Sequence, residues 1–294
     1  MCYNKFVMKI GISLDRFANK HGRYNENKFN KVRSHGFEAV DYSMQNTDTI
    51  IYTCSNDELK QLMQIEKTSA QNAGVVISQV HGPWRYPPKD DTVEDRQERL
   101  EKMKRAIIAT HLLGCEYIVI HPIMPYGTFD LQSGNENATF KENLLFFTEL
   151  GNFAKNYNVT ICLENMPMLN FSLATPEKVL SLVKEIGLEN VKICIDTGHI
   201  NVFNNLDIAK EIIRVGSYLK VLHIHDNLKD KDTHLFPTQG TIDWQLVTSA
   251  LKTIGYSGVF SLECPPAVTL NDSEFESESI RLYNIAKQLI LESN

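Results

Sequence analysis

Short apolar runs alternate with longer amphipathic ones along the whole chain. Period-two or continuous apolar runs bounded by turn residues predict strands at Phe6–Leu14, Glu38–Tyr42, Val75–His81, Tyr117–His121, Val159–Asn165, Val191–Asp196, Leu219–Asp226 and Gly258–Cys264. Helical spacing between them predicts helices at Asn25–His35, Asp57–Asn72, Thr92–Leu113, Ala138–Tyr157, Glu177–Ile186, Asp207–Val215 and Asp243–Ile254, with a last one from Ser273 onward. Asn56 and the Thr175-Pro176 pair read as helix starts, and Gly36, Gly74 and Gly114 as stops. A Gly- and Asn-rich loop covers Tyr126–Asn137.

Eight strands, each followed by a helix, predict a closed parallel (β/α)8 barrel. No Pro/Ser linker, charge block or low-complexity stretch divides residues 1–294, so one domain is expected. A doubly wound open sheet would normally offer a Gly-rich turn after the first strand, and LDRFANKHG has none.

Composition narrows the function classes. Hydrophobic residues make up 43% and charged ones 22%, which fits a soluble protein with a full core. The net charge of −6 argues against a nucleic-acid partner, which normally meets a basic face. Six cysteines without a CxxC pair are no disulfide framework and suit a reducing compartment. The opening MCYNKFVMKIGIS has no signal-peptide layout and no run reaches membrane-span length, so a cytoplasmic protein is expected.

The chemistry gathers at strand C-terminal ends. His81 and His121 end the third and fourth strands, and Glu164 the fifth. Asp196 ends the sixth, with His199 just past the Thr197-Gly198 turn signal. His223, His225 and Asp226 lie on the seventh and Glu263 on the eighth. In a closed barrel these ends converge on one rim. Carboxylates and imidazoles aimed at one point repel, or need protons, unless a cation sits among them. Their oxygen and nitrogen donors suit Zn²⁺, Mn²⁺ or Mg²⁺. Asp232 and His234 have a D-x-H spacing that lets both reach one metal or one substrate hydroxyl. Asp226 reads as a cap for the following loop, and His35 and His111 as surface residues of helices. Cys162 and Cys194 share the faces of Glu164 and Asp196 and are expected as small fillers inside the barrel.

The succession HGPW, VIHP, CLEN, CIDTGH, LHIHD, DTHLFPTQGTIDW and SLECP resembles the xylose-isomerase-like TIM-barrel superfamily over nearly the whole chain. Its main members are sugar or sugar-phosphate isomerases and epimerases, with endonuclease IV as a relative. The epimerase branch implies one divalent metal on Glu164, Asp196, His223 and Glu263. Endonuclease IV adds ligands that match His81, His121, His199, Asp232 and His234, so one to three metals are compatible with the chain. Many isomerase relatives carry Pro-Gly-x-Gly before IDW, and here it is Pro237-Thr238-Gln239-Gly240.

The resemblance implies proton abstraction next to a carbonyl through an enediolate. Glu164 and Glu263 are expected as the acid–base pair, and His199 as donor to the substrate oxygen that gains charge. His81, Trp84, His121 and His225 are expected to orient substrate, Trp84 by stacking on a sugar face or shielding the site from water. The expected partner is a small carbohydrate, and a homo-oligomer is compatible. Competing expectations are an abasic-site endonuclease, a dehydratase of a polyhydroxy acid, and a silent sugar-binding subunit.

Overall fold

A computed structural model describes residues 8–17 and 27–292 of the chain. The predicted strand start at Phe6 and helix start at Asn25 lie outside the described residues, as does Cys2. Eight parallel strands form one sheet: β1 (Ile10–Ser13), β2 (Ala39–Ser43), β3 (Val76–His81), β4 (Tyr117–Ile120), β5 (Thr160–Glu164), β6 (Val191–Asp196), β7 (Leu219–His223) and β8 (Phe260–Leu262). The order β7-β6-β5-β4-β3-β2-β1-β8 runs through the whole set. A parallel bridge between Ile224 and Leu262 closes it, with Ile224 N–H donating to Ser261 O at 2.8 Å and Glu263 N–H to Ile224 O at 3.0 Å. The protein is a single (β/α)8 TIM barrel.

The two faces of each strand take different company. Ile118, Ile120, Ile161, Leu163, Ile193 and Ile195 belong to the main core with the helices. Val119, Cys162, Cys194 and Val221 form a separate cluster inside the barrel. Cys162 and Cys194 are thus the expected fillers, and burial pushes both thiols up, away from the thiolate a metal would need. This inner layer is the floor beneath the strand ends.

Among the described residues the helices are α1 (Lys28–Ser34), α2 (Ile50–Thr53), α3 (Asn56–Asn72), α4 (Val93–Leu113), α5 (Asp130–Ser133), α6 (Glu136–Lys155), α7 (Pro176–Ile186), α8 (Thr197–Asn201), α9 (Ile208–Val215), α10 (Trp244–Thr253) and α11 (Asp272–Glu292). Most start on a side-chain cap that answers an orphan N–H, such as Thr92, Thr175, Asp207 and Asp243. α3 is capped by Ser55 in a capping box with Glu58, one residue before the predicted Asn56. The loop predicted over Tyr126–Asn137 contains α5. His35, expected at the surface, is 1% exposed at the C-cap of α1, where its ring packs 5.6 Å from Phe17. His111 is exposed as expected.

Candidate metal centre and pocket

Glu164, at the end of β5, is the hub. Its Oε1 lies 2.8 Å from His223 Nδ1 and 3.6 Å from His199 Nδ1. Its Oε2 lies 2.8 Å from His121 Nε2 and 3.8 Å from His81 Nε2. Glu263 Oε2 approaches the same His223 Nδ1 at 3.1 Å. Glu164, Asp196, His223 and Glu263 offer ligand atoms within 4.8 Å of one another, as do His81, Glu164 and His223. A further group joins His199, His225, Asp232 and His234 within the same limit. The strand ends therefore do meet on one rim, and the D-x-H pair joins them, with Asp232 Oδ2 3.1 Å from His234 Nε2 and 3.3 Å from His199 Nε2.

The local sequence explains the aim of each donor. Asp196 caps α8, accepting His199 N–H at 2.7 Å on Oδ1. The stretch after β6, marked in the sequence by the Thr197-Gly198 turn signal, is a short helix that turns His199 back over Glu164. Asn165 secures this turn: it accepts Asp196 N–H at 2.9 Å and donates to Asp196 O at 3.0 Å. The imidazoles are held as ligands usually are, with one nitrogen tied and the other left facing the cluster. Nδ1 faces a backbone carbonyl in His81 (Gly82 O, 3.0 Å), His199 (Asn165 O, 2.8 Å) and His234 (Glu263 O, 2.6 Å). His223 is tied the other way round, its Nε2–H donating to Asp41 Oδ2 at 2.8 Å.

This donor set fits a divalent cation. Buried carboxylates and imidazoles share one small volume, and without a cation protons must keep them together. Burial opposes the charge of Glu164, but His223 and His121 outweigh it and hold the carboxyl well below the usual range. Burial pushes Glu263 up to about 8, against the pull of His223. His199 rises to about 10 and His234 to about 9, their carboxylate neighbours overcoming burial. Burial takes His121 down to about 4. Asp232 Oδ1 is buried without a hydrogen-bond partner among the described residues, a lone pair with nothing yet to bind.

A cavity of about 200 Å³ opens over this floor. Its upper wall is Gln45, Trp84, Tyr86, Met166, Pro167 and Met168, and His81, His121, Glu164, His199, Asp232, His234 and Glu263 reach it from below. Trp84 stands edge-on to His121 at 4.3 Å, and the Arg99 guanidinium lies 5.8 Å from its ring. Arg99 is buried, pairs with Asp90, and donates to His121 O at 3.1 Å. The loops that carry Trp84 and His121 are thus tied together from behind. His225 is fully buried behind Asp196 and does not line the cavity. Asp226 serves its expected capping part, accepting N–H groups from Thr238, Ile242 and the Trp244 indole. Lys229 and Lys231 are exposed and outside the cavity lining. No helix among the described residues is long and apolar enough to cross a membrane.

Comparison with known proteins places the fold in a family. The uncharacterized protein MJ1311 of Methanocaldococcus jannaschii is 30% identical over 79% of this chain and 76% of its own length. The D-psicose 3-epimerase of Ruminiclostridium cellulolyticum is 27% identical, and the match spans 67% of this chain and 66% of that enzyme. The crystal structure of a D-tagatose 3-epimerase-like protein superposes with a TM-score of 0.74 at 26% identity, covering 97% of this chain and 99% of that one. Residues 29–281 match the family described as xylose isomerase-like TIM barrel, and the chain belongs to it.

Proposed function

We propose that the chain is a divalent-metal-dependent isomerase or epimerase of a sugar or sugar phosphate, working by proton transfer beside a carbonyl. One observation carries this reading. Glu164 and Glu263, from strands that are not neighbours, approach the same imidazole nitrogen, His223 Nδ1, at 2.8 and 3.1 Å, so two carboxylates from separate parts of the rim share one centre. Two carboxylates at one centre let one take a proton from substrate and the other return it, as proton transfer beside a carbonyl needs. The similarity to D-psicose 3-epimerase supports the same chemistry. Glu164, Asp196, His223 and Glu263 would hold the cation, which would supply Lewis-acid polarisation of a carbonyl oxygen. His199 lines the cavity, and with Nδ1 tied to Asn165 O its Nε2 is the nitrogen that faces a substrate oxygen gaining negative charge. Trp84, Met166 and Met168 cover the floor and limit water.

A second reading, a three-cation phosphodiesterase, draws on the extra donor group of His199, Asp232 and His234. The net charge of −6 and the pairing of Arg85 with Glu98 at 3.4 Å weigh against a nucleic-acid grip. The test is a panel of ketoses, with and without phosphate, in deuterated water with the metal-loaded protein. Deuterium is expected to enter at the carbon beside the carbonyl. Glu164→Gln is expected to keep the fold and lose turnover by about 10²–10⁴-fold. No exchange with any ketose would reject the isomerase reading, and nicking of abasic DNA by a protein holding three metals would then favour the second.

A further inference from the structure

We infer that His225 is a positioning residue that holds the Asp196 carboxylate in its ligand pose, and that residue 198 must be glycine to make room for it. The inference rests on the metal reading above, not on the identity of the substrate. His225 Nε2 lies 2.9 Å from Asp196 Oδ2 and 3.6 Å from Asp232 Oδ1. A carboxylate only accepts, so the hydrogen bond needs the proton on Nε2. Asp196 is then fixed through both oxygens, by His225 on Oδ2 and by His199 N–H on Oδ1. It cannot rotate without breaking one of them.

The rest of the ring is closed to any other use. Nδ1 has no hydrogen-bond partner among the described residues. A Cβ at residue 198 would stand 2.3 Å from Nδ1 and 1.9 Å from Cε1, so backbone covers that edge. The ring of His234 stacks on its face at 3.9 Å and 7°. Thr197 Oγ1 accepts His225 N–H at 3.2 Å and donates to His225 O at 2.8 Å, pinning the backbone. As a ligand itself, His225 would have to give up Asp196. As a donor it joins Asp196, in the first donor group, to Asp232 and His234, in the other.

Cobalt(II) is the probe, because its visible absorption reports ligand geometry without turnover. His225→Phe keeps a ring and removes the N–H, and cobalt affinity measured against a competing chelator is expected to fall about 10- to 100-fold. His225→Gln offers an amide N–H and is expected to recover part of this. Gly198→Ala retains every donor atom but displaces the ring, and is expected to alter the cobalt spectrum and weaken affinity as His225→Phe does. Folding of each variant is checked by circular dichroism. If His225→Phe fails to fold, Gly198→Ala carries the test. A folded His225→Phe or Gly198→Ala protein with native cobalt affinity and spectrum overturns the inference. A native protein that binds cobalt but exchanges no deuterium overturns the isomerase reading alone.

Discussion

Asp41 is the residue on which the placing of His223 turns. Its Oδ2 accepts from His223 Nε2 at 2.8 Å and from Gln79 Nε2 at 3.1 Å. With Nε2 thus committed, Nδ1 is the nitrogen left for the ligand cluster. Asp41→Asn is expected to weaken metal affinity about 10- to 100-fold while the melting transition stays cooperative, as measured by chelator competition and calorimetry. Unchanged affinity in a folded Asp41→Asn protein would remove Asp41 from this role. Asp41 was absent from the site predicted by sequence, though a signal existed: it is an acid in the middle of AVDYS, a buried strand. The donors at strand ends were legible because barrel topology alone sends every strand end to one rim. Support residues one layer below have no such rule. His223 and His225 look alike in LHIHD, and only the partner of each nitrogen separates the proposed ligand from the proposed support.

The loop between β7 and α10 shows what an element adds. It must deliver Asp232 and His234 to His199 on α8 and to Glu263 just past β8, and Asp226 is the peg around which it folds. The departure from Pro-Gly-x-Gly falls at its turn, where Thr238 takes φ 74°, a left-handed conformation that suits glycine. A β-branched residue pays about 1–2 kcal/mol there, and glycine loses about 0.5–1 kcal/mol in chain entropy. Thr238→Gly is therefore expected to stabilise the protein by up to about 1 kcal/mol in urea denaturation, and a clear loss would show that the threonine methyl packs usefully. Gly240 is needed for a different reason, close approach. A Cβ there would meet Asp226 Oδ1 at 2.2 Å and Asn227 O at 2.3 Å. Gly240→Ala is expected to cost about 1–3 kcal/mol and to loosen the Asp232–His234 pair. Unchanged stability and metal affinity would mean that the loop can shift freely. The sequence named the altered hinge but could not assign the two positions, because each requirement depends on where Asp226 stands.

At the scale of the whole molecule, barrel closure forces ionisable groups from distant parts of the chain into one buried volume, and stability must then follow pH. Alternation of strands and helices predicted this architecture; the resulting charge balance is a property of the assembled rim. In the metal-free protein His199 and His234 sit at about 10 and 9 against an ordinary 6.5. Their folded state binds protons more tightly, so their contribution is full below pH 6.5 and is lost as pH rises through 9 to 10. Glu263, at about 8 against 4.5, adds a loss that begins lower and runs through pH 8. The opposite slope on the acid side comes from Glu164, Asp196 and Asp232, each held below the usual carboxylate range. His121, at about 4 against 6.5, adds to that slope as pH falls through 4. In chelator, the urea midpoint is therefore expected to decline on the alkaline side, between about pH 6.5 and 9. A divalent cation takes the place of those protons, so metal-loaded protein is expected to show no alkaline decline in that window, and binding is expected to release protons. Equal pH profiles with and without metal would mean that the rim neither needs its protons nor exchanges them for a cation.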